Sequence, residues 1–362
     1  MVESAALPAG TVRIEPERAH RFARRLLEAS GVPKADASLV ADVLIRADLR
    51  GIRSHGVARL SYFLIRLTGG TINLDPQMKF SVGSPTTGIL DADNAIGILA
   101  ADRAMTEALT LAEQYGSGFV AVRNSSHFGY AGYWSERAMR QGCIGISLSN
   151  SGRRATPTFA SQSLLGTNPL SVTIPGNDTD FFLDMATTSV AVGKIETALR
   201  EGRSVPDGWT DANAPPPGLD ENGVLDYSAP LLPLGGAGDD TGGHKGYGLS
   251  LMAELLCGAL SGTGLQDRLD GADGHAPPAM GHFMGAIKVA GFRSPGAVAD
   301  DMDATFELLR SAKKAPGRDR VFIHGEPETI AETENRQAGI PVTPPIWEGL
   351  TVWSERLGVD PL

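Results

Sequence analysis

The chain has 362 residues and a formal net charge of -10 at pH 7. This acidic balance argues against a broad basic face for nucleic acid or an anionic membrane, although cations gathered in one pocket could still bind an anionic substrate. Hydrophobic residues make up 42% of the chain and charged residues 20%, which is typical of a globular protein and argues against disorder.

The two cysteines, Cys143 and Cys257, both lie in apolar surroundings, which indicates buried, reduced thiols rather than a disulfide or a zinc site. The first residues lack the basic and apolar regions of a signal peptide, and no stretch approaches the roughly 20 apolar residues that span a bilayer. The sequence therefore predicts a cytoplasmic protein of one large or two smaller domains.

Apolar periodicity predicts helices first and an alternation of strands and helices afterwards, which favours an α/β sheet with covered faces. The predicted helices cover 15–30, 33–51, 60–67, 100–115, 131–141, 246–260, 300–312 and 329–337. The predicted strands cover short segments within 81–93, then 118–122, 144–148, 170–174 and 281–289. Residues 203–243 are rich in Pro, Gly and Asp, which predicts a long surface excursion, such as a lid or an oligomer arm.

Several common signatures of catalytic or nucleotide sites are missing from the sequence. It contains no GxGxxG Rossmann fingerprint, no P-loop, no GxSxG elbow and no HExxH metal spacing. A nicotinamide enzyme with this sequence would therefore use a cofactor fold other than the usual one.

The segment 50–59, RGIRSHGVAR, places a histidine in a tight turn between two predicted helices. His55 has a side chain that suits proton exchange with a carbonyl or an alcohol, and Ser54 could orient it. Arg59 carries the planar fork that pairs with a carboxylate. A proton donor beside a carboxylate clamp is what reduction of a 2-oxo acid needs, although the same residues could form an ordinary surface turn.

Five further segments place polar residues in or beside turns, and each could also be an ordinary cap or surface turn. Asn, Ser and Gly amides before a helix could bind an anion, and glycines allow a backbone to approach a ligand closely. The segments are NSSHFG at 124–129, LGTNP at 165–169, DMATTS with GK at 184–194, GGHKGYG at 242–248 and APGRDR at 315–320.

Taken together, the order and spacing of these segments resemble the type-2 malate/L-lactate dehydrogenase family. That family also contains ureidoglycolate, sulfolactate and diketogulonate dehydrogenases and a cyclic-imine reductase branch. The matching segments are RGxxSHGxxR (50–59), SSHFG (125–129), LGTNP (165–169), DMA and GK (184–194), GGxKGYG (242–248), GHF (281–283) and PGR (316–318). The resemblance extends from the N-terminal helices to about residue 330.

The resemblance implies a non-Rossmann α/β fold with a helical N-terminal region and a nucleotide-binding α/β domain. Residues 1–120 with 318–362 would form the substrate and dimerisation domain, and 121–317 the nicotinamide-nucleotide domain. The implied protein is a homodimer with its active site between domains. It would transfer a hydride between NAD or NADP and a small 2-hydroxy or 2-oxo acid, without a metal.

The resemblance also assigns roles to residues at the matching positions. His55 is expected to donate and accept the proton, with Ser54 beside it and His127 as a second catalytic histidine. The expected substrate-binding residues are Arg59, Thr167 and Lys194. The expected cofactor-binding residues are Ser126, Phe128, Gly129, Asp184, Met185, Ala186, Thr187, His244, Lys245, Pro316, Gly317 and Arg318.

Three alternatives stay open at this point: an NADPH-dependent reductase of a cyclic imine carboxylate, a non-catalytic nucleotide-binding protein, and a metal hydrolase. Lys194 favours the hydroxy acid, because the imine-reductase branch tends to carry an acid at that position. Arg53 would favour a more anionic substrate, such as a dicarboxylate or a sulfonate, if its side chain pointed into the cleft. The sequence leaves both NAD and NADP open.

Overall fold

The computed structural model describes residues 7–200, 202–212, 214–218, 229–264 and 279–362. Helices and strands alternate through most of this part of the chain, as predicted. The helices are α1 (Pro16–Ala29), α2 (Lys34–Leu49), α3 (Leu60–Thr68), α4 (Gly97–Tyr115), α5 (Ala131–Met139), α6 (Val192–Arg200), α7 (Gly243–Glu254), α8 (Pro295–Ser311), α9 (Glu326–Ala338) and α10 (Pro344–Leu357). The strands are β1 (Val12–Ile14), β2 (Lys79–Ser84), β3 (Thr87–Asp91), β4 (Ser117–Ser125), β5 (Cys143–Ser149), β6 (Leu170–Ile174), β7 (Phe181–Met185), β8 (Met280–Lys288) and β9 (Ile340–Val342).

Seven strands form one mixed sheet in the order β2-β3-β4-β8-β5-β6-β7. Within this described sheet, β3 and β4 pair in parallel and the other neighbours pair antiparallel. The central position belongs to β8, which pairs with both β4 and β5 although it follows all the other strands of this sheet in the chain. The strands β1 and β9 form a separate antiparallel pair that joins the two ends of the described chain.

Helix α4 lies close against β4 because the facing residues are small. Ala104 and Ala108 are fully buried on the helix. On the strand, a Cβ at Gly118 would stand 2.0 Å from the carbonyl oxygen of Ala108, so the glycine is required by this close approach. The Ala-rich helical pattern of the sequence is therefore a packing feature.

The described end of the Pro- and Gly-rich segment at 203–243 differs from the expected surface excursion. Leu231 and Leu232 are buried, and Leu231 forms isolated bridges with Thr210 and Ala155. Leu231 packs with Ala155 and other apolar side chains in a separate small hydrophobic core. Burial of this apolar surface keeps the segment around Leu231 in the protein interior. The surface prediction is thus wrong for 229–233, while 213 and 219–228 lie outside the described residues.

Both cysteines are buried, unpaired thiols, as predicted. Within the described ranges, no helix combines the length and apolar character needed to cross a bilayer, and no three His, Cys, Asp or Glu side chains gather as a metal ligand set. The division into two domains stays a prediction. The largest hydrophobic cluster contains residues from both predicted segments, Leu60 and Met284 among them.

Candidate active site

A cleft of about 1010 Å³ brings together residues from almost every predicted segment. Its walls come from the turns before α3, the loops at the ends of the strands, the start of α6 and the segment 314–328. The predicted site residues that line it are Ser54, His55, Arg59, His127, Gly129, Thr167, Asp184, Met185, Ala186 and Arg318. The segments at 242–248 and 281–283 contribute no lining residue.

The other predicted site residues lie outside the cleft wall. Ser126 and Thr187 are buried and bond to backbone: Ser126 Oγ donates to Ala95, and Thr187 Oγ1 donates to Thr167. Phe128 is buried as well. Five residues are exposed and do not line the cleft: Lys194, His244, Lys245, Pro316 and Gly317. The roles expected for all of these residues stay predictions.

Two short 3₁₀ turns, Arg53–His55 and Val57–Arg59, carry the first motif between α2 and α3. The buried carboxylate of Asp48 lies beneath them, and its Oδ2 accepts a hydrogen bond from the amide of Val57 at 2.7 Å. A Cβ at Gly56 would stand 1.8 Å from Asp48 Oδ1, so the residue after His55 must be glycine. Burial raises the pKa of Asp48 to about 7, against the opposing effects of the Val57 hydrogen bond and the Arg53 charge.

His55 and Arg59 are both held by Ser54. The Ser54 hydroxyl lies 2.9 Å from Nδ1 of His55, and because a hydroxyl can donate or accept, it can follow His55 through a change of protonation. The guanidinium of Arg59 donates to the carbonyl oxygen of Ser54 through Nε at 3.3 Å and Nη2 at 3.1 Å. Burial, followed by the charge on Arg59, lowers the pKa of His55 to about 3, so the ring is neutral at pH 7.

His127 faces His55, with the ring centroids 5.4 Å apart and the planes tilted by 30°. Nδ1 of His127 accepts a hydrogen bond from the amide of Gly129 at 3.1 Å, so the neutral ring carries its hydrogen on Nε2. Burial, followed by the charge of Arg59, lowers the pKa of His127. Two neutral imidazoles therefore share one cleft wall beside a guanidinium.

Asp184 has a structural partner as well as a place in the cleft. Its Oδ2 accepts a hydrogen bond from the amide of Gly132, in the first turn of α5, at 3.0 Å. Burial raises the pKa of Asp184 to about 6, while the Gly132 hydrogen bond and Arg50 act in the opposite direction. The expected cofactor role of Asp184 stays a prediction beside this helix-capping role.

Comparison with known proteins decides the family. Residues 14–351 match the family model described as malate/L-lactate dehydrogenase. The chain belongs to this family. It is 36% identical over 362 residues to the malate dehydrogenase of Pyrococcus horikoshii, with both chains covered completely. It is 32% identical over 346 residues to the ureidoglycolate dehydrogenase (NAD(+)) of Escherichia coli strain K12, covering 94% of this chain and 95% of the relative.

The fold agrees with this membership. The solved structure of malate dehydrogenase from Pyrococcus horikoshii OT3 matches with a TM-score of 0.90 and 34% identity, and the match covers 100% of each chain. The predicted family, the α/β fold of the malate/L-lactate dehydrogenases and the enzyme class are thus confirmed. That class is a dehydrogenase acting on 2-hydroxy acids.

This member of the family has cations in its cleft that the motifs did not indicate. They are Arg66 from α3, Arg154 from the loop after β5 and Lys314 from the segment before α9, and Arg320 of the motif at 315–320 joins them on the wall. The sequence contains one indication that Arg66 belongs to the site. Arg59, Tyr62 and Arg66 recur at i, i+3 and i+7, which is the spacing of residues on one helical face. The chain as a whole is acidic, so this lining concentrates positive charge at the site.

A buried histidine supports the segment that carries His127. His282, on β8, has Nδ1 at 2.8 Å from Ser149 Oγ and Nε2 at 2.9 Å from Ser125 Oγ. Its ring stacks on Phe128 with the centroids 4.6 Å apart. Burial lowers the pKa of His282 to about 3, so the ring is neutral. The GHF match at 281–283 therefore marks a residue behind the cleft.

Proposed function

We propose that this chain is an NAD(P)-dependent oxidoreductase that transfers a hydride between nicotinamide and a small 2-hydroxy or 2-oxo acid. The observation that carries the proposal is the meeting of His55, His127 and Arg59 at one cleft wall. Hydride transfer to a 2-oxo acid needs a proton-exchanging group at the substrate oxygen and a fixed carboxylate beside it. These three side chains supply both.

A nicotinamide dinucleotide fits this cleft in size and charge. Ligand pockets commonly have volumes of roughly 300 to 1,000 Å³, and this cleft lies at the upper end. Arg154, Lys314 and Arg318 supply positive charge for a pyrophosphate, and Gly129, Met185 and Ala186 offer small or apolar surface. We propose that these residues hold NAD or NADP, which accepts or supplies the hydride when bound.

His55 and His127 have complementary roles at the substrate oxygen, one as hydrogen-bond acceptor and the other as donor. In the oxidation direction, Nε2 of neutral His55 accepts the hydroxyl proton while Nδ1–H donates to Ser54 Oγ. Bound NAD or NADP would take up the C2 hydrogen as hydride, and the C2–O bond would then become a carbonyl. Nε2–H of His127 donates to the same oxygen.

The remaining polar groups bind and orient the substrate acid. Arg59 keeps N–H donors beyond those bonded to Ser54, and these bind the substrate carboxylate. Thr167 lies on the cleft wall with its hydroxyl 3.2 Å from Ser151 Oγ, and we propose that this hydroxyl pair contacts the substrate. Reduction of a 2-oxo acid runs the same steps in reverse, with protonated His55 as the acid.

The test is an absorbance assay with NADH or NADPH and a panel of pyruvate, oxaloacetate, 2-oxoglutarate, sulfopyruvate and piperideine carboxylate. We expect cofactor oxidation with at least one oxo acid, and His55→Ala should lower turnover by about 100-fold or more while cofactor binding persists. Turnover of piperideine carboxylate alone would favour the imine reductase. Cofactor binding without turnover of any compound would contradict the proposal and favour a non-catalytic binder.

Two further proposals rest on the family resemblance: a homodimeric state and a cytoplasmic location. The homodimer is tested by light scattering on the purified protein at micromolar concentration. A mass equal to one chain across that range would contradict it. The location is tested by fractionating cells that produce the full chain.

A further inference from the structure

Three cleft residues lie along one face of α3 and the turn before it. Arg59, Tyr62 and Arg66 are spaced at i, i+3 and i+7, and all three line the cleft. The guanidinium carbon of Arg66 is 5.0 Å from the centre of the Tyr62 ring, and that ring is 5.6 Å from the ring of His127. A second guanidinium therefore reaches the wall that holds the reactive histidines.

The charges that act on Tyr62 and His55 are positive. Burial raises the pKa of Tyr62, while the charges of Arg66 and Arg59 act to lower it. The charged group that acts on the pKa of His55 is Arg59. The cleft wall at these residues therefore favours anions.

The carboxyl groups of the cleft are not among the charges that act on the pKa values of His55, His127 and Tyr62. Asp184 and Glu328 are the acidic residues that line it within the described chain. They are close enough for Glu328 to raise the pKa of Asp184, where Arg50 is the neighbouring cation.

We infer that Arg66 binds a second anionic group, a carboxylate or a sulfonate, at the far end of the substrate. The site then selects doubly charged 2-hydroxy and 2-oxo acids over singly charged ones. This inference rests on the proposed function, with Arg59 holding the carboxylate next to the reacting carbon.

The spacing of the two arginines suits such a substrate. Arg66 lies six residues after Leu60, where α3 begins, so the backbone at Arg66 is about 10 Å further along the helix direction than the backbone at Arg59. A four-carbon acid held at each end by charge-assisted N–H···O bonds of about 2.8 Å bridges a gap of that order. Because the Arg66 residue is only 6% exposed, water screens its attraction for an anion weakly.

Arg53, the other cation considered for this role, does not line the cleft. Its charge acts instead on Asp48 beneath the turn, where it lowers the carboxyl pKa. Arg53 therefore serves as a matched control: it is an arginine on the same stretch of chain that should leave substrate charge selection unchanged.

The first experiment uses the unmodified protein and measures kcat/KM for pyruvate, oxaloacetate, sulfopyruvate and 2-oxosuccinamate, the singly charged analogue of oxaloacetate in which a neutral amide replaces the far carboxylate. We expect at least one dianion to exceed the amide by about 10- to 100-fold, the range of a charged hydrogen bond. The ratio of oxaloacetate to sulfopyruvate separates carboxylate from sulfonate. Equal values for the dianions and the amide would overturn the inference alone, whereas turnover of none of these acids would contradict the proposed function.

The second experiment compares Arg66→Met, Arg66→Lys and the control Arg53→Met. Arg66→Met should raise KM for the preferred dianion and lower its kcat/KM by about 10- to 100-fold, while pyruvate changes by less than about threefold. Arg66→Lys should keep part of the preference, and Arg53→Met should keep all of it. Equal losses on mono- and dianions in a folded Arg66→Met protein would overturn the inference. If the Arg66→Met variant does not fold, the Arg66→Lys variant and the comparison of dianions with 2-oxosuccinamate decide whether the inference holds.

Discussion

Gly193, the second residue of α6, lies directly against Ser54, so that a Cβ at position 193 would stand 2.3 Å from the Ser54 Cβ. The start of α6 therefore forms the backing of the turn that holds His55. Ala191, Val192 and Gly193 also line the cleft. The position of the proposed proton-exchanging residue, His55, thus depends on a residue 138 positions later in the chain.

Gly193→Ala should displace the Ser54–His55 turn, because a Cβ and the serine side chain cannot occupy the same space. We expect kcat to fall by about 10- to 100-fold, since shifts of about 1 Å at a reacting group have effects of this size. Gly296→Ala is the matched control: Gly296 is the second residue of α8, and its Cβ position has no neighbour within 4 Å. Steady-state kinetics that leave both variants equally active would contradict the prediction.

The oxidation of a hydroxy acid should depend on pH through neutral His55. Burial lowers the pKa of this ring from the ordinary 6.5 to about 3, and the base must be neutral to accept a proton. Activity should therefore be lost only as pH falls towards the lowered value. We expect kcat/KM to stay level from about pH 8 to below about pH 5. A loss of kcat/KM centred near pH 6.5, measured from initial rates across the pH range, would contradict the expected effect of burial on the pKa of His55.

Asp48 should make the free energy of unfolding depend on pH. Its pKa in the folded protein is raised to about 7 from an ordinary 3.8, so folding favours the protonated carboxyl. Its contribution to stability is present at acid pH and is lost as pH rises from about 4 through 7. Asp48→Asn cannot ionise, so its stability relative to the unmodified protein should improve as pH rises through this window. Urea unfolding at pH 5 and pH 8 measures the difference, and a constant difference would contradict the prediction.

His282→Leu should destabilise the protein, because it leaves the buried hydroxyl of Ser125 without its ring partner and removes the stack on Phe128. We expect a loss of about 2 to 4 kcal/mol in the free energy of unfolding. His324→Leu is the control, because His324 is exposed and should change stability by less than about 0.5 kcal/mol. Equal unfolding midpoints for the two variants would show that the His282 bonds contribute little.

The parts of the site that the sequence predicted are those held together by local geometry. Ser54, His55 and Arg59 lie on two consecutive turns, and the glycine between them reports the close approach to Asp48. Side-chain direction was harder to predict. Ser126 and Thr187 are neighbours of cleft residues, yet their hydroxyls point into the protein and donate to backbone carbonyl groups. Packing around a side chain, and not the motif beside it, decides which way that side chain points.

The strand pair of β1 and β9, which the sequence did not predict, depends on residues far apart in the chain. β1 and β9 have three residues each, too few for a periodic pattern, and they pair across more than 300 positions. Arg66 was missed for a related reason. Its helical face was clear from spacing, but only the packing of α3 decides that this face borders the cleft and not solvent.

The central place of β8 sets an order for assembly during synthesis. β2, β3 and β4 leave the ribosome early, and β5, β6 and β7 follow, but the two groups have no strand pairing with each other. The sheet becomes continuous only when Met280–Lys288 has emerged and paired with both β4 and β5. Until then, β4 and β5 each present an open edge on which another chain could pair. A nascent chain stalled before residue 280 should therefore be the form that depends most on a chaperone.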